Sequence, residues 1–137
     1  MNSAGLHILI AEDEISHAVI IRRRLEKEYP DARIEVVTSI REFQNSIAAA
    51  LPTIALLDLN LSDGSSLDML KASASPPLFP VVMMTSFASK QVADDAVQAG
   101  AVDCLIKSPE VFFAIAEIVE KTVREWGLRL ERNGASQ

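Results

Sequence analysis

Five short apolar runs, separated by longer segments of helical periodicity, constrain what this chain can fold into more than any other feature. The runs are rich in Val, Ile and Leu, are about five residues long and begin roughly 20 to 27 residues apart. They comprise residues 6–11, 33–37, 53–57, 80–84 and 101–106. Runs of this length and composition are typical of β-strands, and those with little polar alternation are typical of strands covered on both faces.

The segments between the runs predict helices. Apolar residues recur there three or four positions apart, Gly100 stands where the fourth helix should end, and Ser108 and Pro109 are typical of the start of a final helix. Alternating strands and helices predict a parallel sheet with helices on both faces. The sequence contains neither a GxGxxG motif nor a P-loop. We therefore expect an α/β, doubly wound, flavodoxin-like (βα)5 fold with strand order 2-1-3-4-5.

Composition limits the class of protein further. The 137 residues, of which 49% are hydrophobic, suffice for one domain with its own core. A net charge of −6 argues against direct binding of nucleic acid, which relies on basic surfaces. The single cysteine, Cys104, excludes an intramolecular disulfide and a cysteine-built metal site. The first residues do not resemble a signal peptide and no apolar run is long enough for a membrane span, so we expect a cytoplasmic protein without membrane contact.

Polar side chains follow four of the five predicted strands. Glu12 and Asp13 come directly after the first strand, and Asp58 follows the third. The fourth strand leads into Thr85 and the fifth into Lys107. Because the carboxyl ends of parallel strands meet at one edge of the sheet, where ligands of such folds bind, we expect these five side chains to converge.

The chemistry of this set suits phosphoryl transfer. Neighbouring carboxylates repel one another, and carboxylates with water are suitable ligands for Mg²⁺. A carboxylate can also attack phosphorus and form an aspartyl phosphate, and Asp58 on the central strand is the best candidate. Lys107 and the cation would supply positive charge, while Thr85 would donate a hydrogen bond. Taken singly, each residue has a simpler interpretation as a helix cap, a turn or a solvated charge; their joint occurrence favours a site.

The motifs around these residues resemble one family closely. They are ILIAEDE (8–14), LLDLNLSDG (56–64), MMTS (83–86) and GAVDCLIKSP (100–109), and their order and spacing resemble the receiver domain of bacterial two-component response regulators, of the chemotaxis-regulator kind. The resemblance implies that Asp58 is the phosphoacceptor, assisted by Thr85 and Lys107. It also implies a Mg²⁺ site formed by Asp13, by Glu12 largely through water, by Asp58, and by the backbone carbonyl of Asn60.

The resemblance further implies a signalling switch rather than an enzyme. A histidine kinase or a histidine phosphotransfer protein would donate the phosphoryl group from a phosphohistidine, and slow hydrolysis would remove it. The surface formed by helix 4, strand 5 and helix 5 would change. Two alternatives stay open: a degenerate receiver that binds partners independently of phosphorylation, and an aspartyl-phosphate phosphatase of the haloacid dehalogenase kind. The second normally has a DxD motif after its first strand, where this chain has Glu12 and Asp13 adjacent.

The chain departs from the family pattern at the switch residues. Cys104 stands where the family usually has Tyr or Phe, which puts the usual aromatic readout in doubt, and Phe87 is a candidate substitute. Ser108 follows Lys107 where the family commonly has a proline with a cis peptide bond. Here we expect either a trans bond or a cis bond moved to Pro109. Ser62 replaces another common proline, with little consequence since Gly64 keeps the turn.

The last helix extends past the expected limits of the domain. We divide the chain into a receiver domain, 1–126, and a C-terminal helix extension or tail, 127–137. A helix over 110–132 would be about 35 Å long, and Trp126 with Leu130 would form an exposed apolar strip. This strip favours a homodimer contact or a linker to a missing domain. Alternatively, Gly127 ends the helix and the rest is frayed, with a loose tail from Asn133. The basic run 22–24 is expected to be a solvated face.

Overall fold

A computed structural model of the protein describes residues 3–87 and 89–135. The central sheet has five strands: β1 (His7–Ala11), β2 (Arg33–Val37), β3 (Ile54–Asp58), β4 (Val81–Thr85) and β5 (Asp103–Ile106). All neighbouring strands pair in parallel, in the order β2-β1-β3-β4-β5. The flavodoxin-like fold and its strand order, predicted from the sequence, are confirmed.

Four helices connect the strands: α1 (Ile15–Glu28), α2 (Ile40–Ala49), α3 (Ser66–Ala72) and α4 (Lys90–Gln98). Two more helices, α5 (Pro109–Phe113) and α6 (Ile115–Ala135), follow the last strand. Serine side chains accept hydrogen bonds from the first-turn amides of four of them, at Ser39, Ser65, Ser89 and Ser108. The predicted cap at Ser108 is therefore present. Gly100 follows the end of α4 with φ +114°, a conformation that favours glycine, as the sequence predicted.

The hydrophobic core lies on both faces of the sheet, because successive residues of a strand point to opposite sides. Ile8 and Ile10 of β1 belong to the cluster formed with α1, α5 and α6, whereas Leu9 belongs to the cluster formed with α2, α3 and α4. Strands β1, β3 and β4 are buried throughout, while the edge strands β2 and β5 are partly exposed. This two-sided burial, worth about 1.5–3 kcal/mol for each large aliphatic side chain, fixes the strands that carry the polar set.

The structure changes the predicted limits of the third strand. It begins at Ile54 rather than one residue earlier, and it includes Asp58 as its last residue. A short hairpin follows, in which Asn60–Leu61 pairs with Gly64–Ser65; the sequence predicted the turn but not the paired strands. Gly64 has φ +145°, so the tight turn depends on glycine there.

The last helix continues past Gly127, so the alternative in which it ends there and the rest of the chain is frayed is wrong. Gly127 does not end the last helix, and the stretch from Asn133 is not a loose tail, since α6 continues to Ala135. Residues 136–137 of the predicted tail lie outside the described residues. A single glycine costs about 1 kcal/mol in a helix, which a helix anchored in the core and supported by an i,i+4 ion pair between Glu120 and Arg124 can tolerate.

The predicted final helix is also divided near its start. It forms the short α5 and the long α6 with a break at Ala114, where the Arg24 guanidinium donates a hydrogen bond to the carbonyl of Phe113 at 2.8 Å. Arg24 also lies over the Phe113 ring at 4.3 Å, so the basic run is not solvated at this position. Among the described residues, no helix is long and apolar enough to cross a membrane.

Candidate functional site

The five polar side chains singled out in the sequence stand at the carboxyl edge of the sheet. Asp58 and Thr85 are the last residues of β3 and β4, and Glu12 and Asp13 directly follow β1. Lys107 directly follows β5, where its backbone amide donates to the carbonyl of Thr85 at 2.8 Å. The parallel arrangement thus brings together residues that are far apart in the sequence.

Three carboxylates form a compact acidic cluster. Glu12, Asp13 and Asp58 each offer one oxygen, and these oxygens all lie within 4.8 Å of one another. Glu12 and Asp58 are buried, 1% and 6% exposed, whereas Asp13 is exposed. Burial, followed by the neighbouring Asp58, raises the pKa of the Glu12 carboxyl to about 7. Burial and the neighbouring Asp58 thus disfavour the charged form of the Glu12 carboxyl.

Lys107 neutralises part of that charge. Its ammonium lies 2.5 Å from Glu12 Oε1, as an ion pair not aligned for a hydrogen bond, and donates a hydrogen bond to Asp58 Oδ2 at 2.9 Å. Burial alone would lower the pKa of the Lys107 ammonium, but its contacts with Glu12 and Asp58 outweigh burial and raise that pKa above its usual value. The lysine is thus held charged inside the site.

Thr85 and Asn60 flank the acidic cluster. Thr85 is 4% exposed, and its hydroxyl oxygen accepts a hydrogen bond from the amide of Phe87 at 3.3 Å. The threonine can therefore still donate its own hydroxyl proton. The backbone amide of Asn60 donates to Asp58 Oδ1 at 3.4 Å, which places the start of the hairpin beside the carboxylate.

The sequence analysis missed two residues of this site. Ser66, fully buried at the start of α3, donates a hydrogen bond to the backbone carbonyl of Asp58 at 2.6 Å. His17 of α1 places Nδ1 3.4 Å from Lys107 Nζ and 3.7 Å from Glu12 Oε1. The local signal for His17 was its place four residues after Asp13, at the start of the predicted first helix.

The positions that depart from the family pattern lie within β5 and in the loops that follow β4 and β5. The Cys104 side chain is half-buried and packs against the core, and burial raises the pKa of its thiol. Phe87 is 76% exposed and lies two residues after the strand that ends in Thr85. The peptide bond after Lys107 and the one before Pro109 are both trans, the first of the two arrangements expected from the sequence.

The donor set fits a hard divalent cation. Three carboxylate oxygens within 4.8 Å of one another, with Asp13 exposed to water, match the preference of Mg²⁺ for a few carboxylates completed by water. Glu12 Oε1 is buried with no aligned hydrogen bond, so this oxygen has lone-pair capacity to spare. Glu12, Asp13 and Asp58 are therefore the side chains that could hold such an ion.

Comparisons with known proteins identify one matching family. The family model described as the response regulator receiver domain matches residues 8–121. Among curated proteins, the chain is 31% identical to the methanogenesis regulatory protein FilR1 of Methanothrix harundinacea over 124 residues, which are 87% of this chain and 28% of that protein. The chain thus spans little more than a quarter of the length of this relative.

Solved structures show the same fold. The signal receiver domain of a putative LuxO repressor protein from Vibrio parahaemolyticus superposes with a TM-score of 0.76 at 26% identity, over 90% of this chain and 94% of that one. The beryllofluoride-activated NtrC4 receiver domain dimer gives a TM-score of 0.71 at 22% identity, over 85% of this chain and 98% of that one.

Proposed function

The chain belongs to the response regulator receiver domain family, whose members are signalling modules of two-component systems, and we propose that it is a phosphoacceptor switch in which Asp58 receives the phosphoryl group. The observation that carries the proposal is the contact between the buried Asp58 carboxylate and the Lys107 ammonium, 2.9 Å apart beside Glu12. A carboxylate held next to a fixed cation at the edge of the sheet is suited to forming an acyl phosphate.

The proposed reaction transfers a phosphoryl group from a phosphohistidine of a histidine kinase or a histidine phosphotransfer protein. An Asp58 carboxylate oxygen forms the new O–P bond, the N–P bond of the donor breaks, and the electron pair stays on the departing imidazole, which takes up a proton. Lys107 moves from its contact with Asp58 to a phosphoryl oxygen, and Thr85 donates its hydroxyl proton to another. Water later hydrolyses the acyl phosphate slowly, which resets the switch without making the protein an enzyme.

Glu12, Asp13 and Asp58, with the backbone carbonyl of Asn60, would hold the Mg²⁺ ion. When bound, the ion supplies positive charge against the phosphoryl oxygens. The support for this assignment is the 4.8 Å carboxylate cluster and its charge, since the Lys107 ammonium pairs with Glu12 and Asp58 and one such cation does not balance three carboxylates. The chain's own residues hold the nucleophile, neutralise its charge and orient the phosphoryl group.

Phosphorylation adds about −1.5 to −2 charges at the edge of the sheet, and Lys107 and Thr85 would be drawn toward them. Thr85 ends β4 and Lys107 directly follows β5, and these strands lead into α4 and α5, so the change would spread to the surface formed by α4, β5 and the α5–α6 pair. With Cys104 in place of the aromatic residue, this readout would use other side chains, and the exposed Phe87, two residues after β4, is a candidate.

We further propose the division of the chain into a receiver domain, 1–126, and a helical extension from residue 127. The family model ends at residue 121, while α6 continues to Ala135. Of the predicted apolar strip, Leu130 is 54% exposed, but Trp126 is half-buried with the Arg129 guanidinium 5.6 Å from its ring centre. Leu128, which the prediction did not include, is 51% exposed. The two exposed leucines favour a homodimer contact, with a linker to a following domain as the alternative. Any contact with nucleic acid would belong to other parts of longer relatives, because this chain carries a net charge of −6.

The proposal is tested by intact mass after incubation with Mg²⁺ and a small phosphodonor such as acetyl phosphate. We expect wild-type protein to gain one phosphoryl group and Asp58→Asn to gain none. Asp94→Asn, which removes an exposed carboxylate of α4, is the matched control and should behave as wild type. No gain in the wild type would contradict the proposal and favour a degenerate receiver that acts independently of phosphorylation.

A further inference from the structure

His17 lies beside the proposed phosphoacceptor site but has no part in the reaction described above. It stands in the first turn of α1, and its side chain is 23% exposed. Its Nδ1 atom lies 3.4 Å from Lys107 Nζ. The other side of the imidazole packs on the ring of Phe112, with ring centroids 5.1 Å apart at 50°. His17 thus contacts both Lys107 of the site and Phe112 of α5.

The imidazole of His17 is one of three groups that lie against the Lys107 ammonium. The ammonium has three N–H donors, and it lies against three groups: Glu12 Oε1, Asp58 Oδ2 and His17 Nδ1. In the proposed reaction both carboxylates change partners, since Asp58 becomes an acyl phosphate and Glu12 would face the cation. The imidazole is neither a proposed cation ligand nor the nucleophile, so it can keep its contact while the lysine moves.

The second neighbour of His17 is Phe112, whose packing depends on the position of the imidazole ring. Phe112 is 8% exposed and lies in the core cluster shared by α1 and α6. It sits in α5, a segment of five residues tied to α1 by the Arg24 hydrogen bond at its end. Tilted ring pairs at this distance are favourable and directional, so a shift of the imidazole changes the packing of Phe112.

We propose that His17 is a positioning residue for Lys107 and that, through Phe112, it links the state of the phosphoacceptor site to α5. This inference rests on the proposed function. With its ring proton on Nε2, His17 accepts an N–H of the ammonium through Nδ1. The same nitrogen lies 3.0 Å from Glu14 Oε2. In the other tautomer, with the ring proton on Nδ1, this nitrogen would donate to Glu14 instead of accepting from Lys107.

Two substitutions separate the two contacts. His17→Phe keeps a ring against Phe112 but removes the nitrogen, whereas His17→Gln keeps a hydrogen-bond acceptor but removes the ring. Arg23→Gln, exposed on the same helix, is the control. In the phosphate-free protein, we expect the Lys107 ¹⁵Nζ resonance to shift in His17→Phe and to return toward its wild-type position in His17→Gln. An unchanged Lys107 resonance in His17→Phe would overturn the inference, whatever the protein does with phosphate.

Kinetics provide the second readout. At saturating Mg²⁺, we expect His17→Phe to take up phosphate from acetyl phosphate about fivefold more slowly, equivalent to about 1 kcal/mol, with unchanged Mg²⁺ affinity. His17→Gln should recover most of the rate, and Arg23→Gln should match wild type. Equal rates in His17→Phe and wild type would overturn the positioning role. If wild-type protein takes up no phosphate, the proposed function fails, and the Lys107 resonance alone decides about His17.

Discussion

The Lys107 ammonium and the Glu12 carboxylate form an ion pair at 2.5 Å, with side chains 5% and 0% exposed. The pair joins the residue after β5 to the residue after β1, across the two strands between them. Burying a charge is costly unless a partner compensates it, so each member of this pair depends on the other. The ion pair between Lys107 and Glu12 therefore affects the free energy of unfolding as well as the chemistry of the site.

Replacing Lys107 with methionine should destabilise the protein by about 3 kcal/mol, because Glu12 and Asp58 then lose the cation that compensates their buried charge. Urea denaturation followed by circular dichroism measures the change in the free energy of unfolding.

The double variant Glu12→Gln, Lys107→Met provides the control for that experiment. We expect it to lose clearly less stability than the sum of the two single variants, with a coupling of at least about 1 kcal/mol. Strict additivity would show that the two side chains do not stabilise each other.

Removing the exposed carboxylate of Asp13 should affect stability in opposite directions with and without metal. Without metal, Asp13→Asn should be more stable than wild type by about 0.5 kcal/mol, since one of three mutually repelling charges is gone. With Mg²⁺ at about 100 times its dissociation constant, the wild type should gain about 2.7 kcal/mol. The variant should gain much less at the same concentration.

Melting temperatures with and without Mg²⁺ measure this difference, and Asp94→Asn is the matched control, since it removes an exposed carboxylate from α4. If Mg²⁺ raises the melting temperature of Asp13→Asn as much as that of wild type, Asp13 is not a ligand.

Glu35 gives stability a pH dependence that is separate from the acidic cluster. Its carboxylate accepts hydrogen bonds from Ser46 Oγ at 2.7 Å and lies 3.1 Å from His7 Nε2. The Ser46 hydrogen bond, reinforced by His7 and Arg33, lowers the pKa of the Glu35 carboxyl below its ordinary value. A carboxyl whose pKa is lower in the folded state stabilises the fold above its unfolded pKa of about 4.3. That contribution is lost as the pH falls through the folded pKa.

Glu35→Gln should therefore be less stable than wild type at pH 7, and the gap should narrow as the pH falls below about 4. Denaturation curves from pH 3 to pH 7 measure the gap. A gap that stays constant over this range would mean that the charge of Glu35 adds nothing to stability.

The helical extension can be tested by its oligomeric state. Replacing both Leu128 and Leu130 with glutamate removes the exposed apolar side chains of α6 without touching the core. If the extension forms a homodimer, sedimentation velocity should show a wild-type dimer and a monomeric variant. A wild type that sediments as a monomer at high concentration would contradict the proposed homodimer. The alternative, a linker to a following domain, would then be favoured.

By itself, the sequence determined the parallel sheet, its strand order and the convergence of five polar residues at one edge. It could do so because strand and helix periods are local, and because the carboxyl ends of parallel strands always meet. The predicted places of Asp58, Thr85 and Lys107 followed from that rule alone. The cap at Ser108 and the helix end at Gly100 were equally local, and both are present.

Only the tertiary structure decided which side chains touch within the site. His17 and Lys107 are 90 residues apart in the sequence, and they meet because α1 packs beside the segment that follows β5. Ser66 reaches the backbone of Asp58 because a short hairpin, whose paired strands the sequence did not predict, brings α3 back under β3. The continuation of α6 through Gly127 was likewise decided by the anchoring of its first turns in the core, where the free energy of packing outweighs the poor helix propensity of glycine.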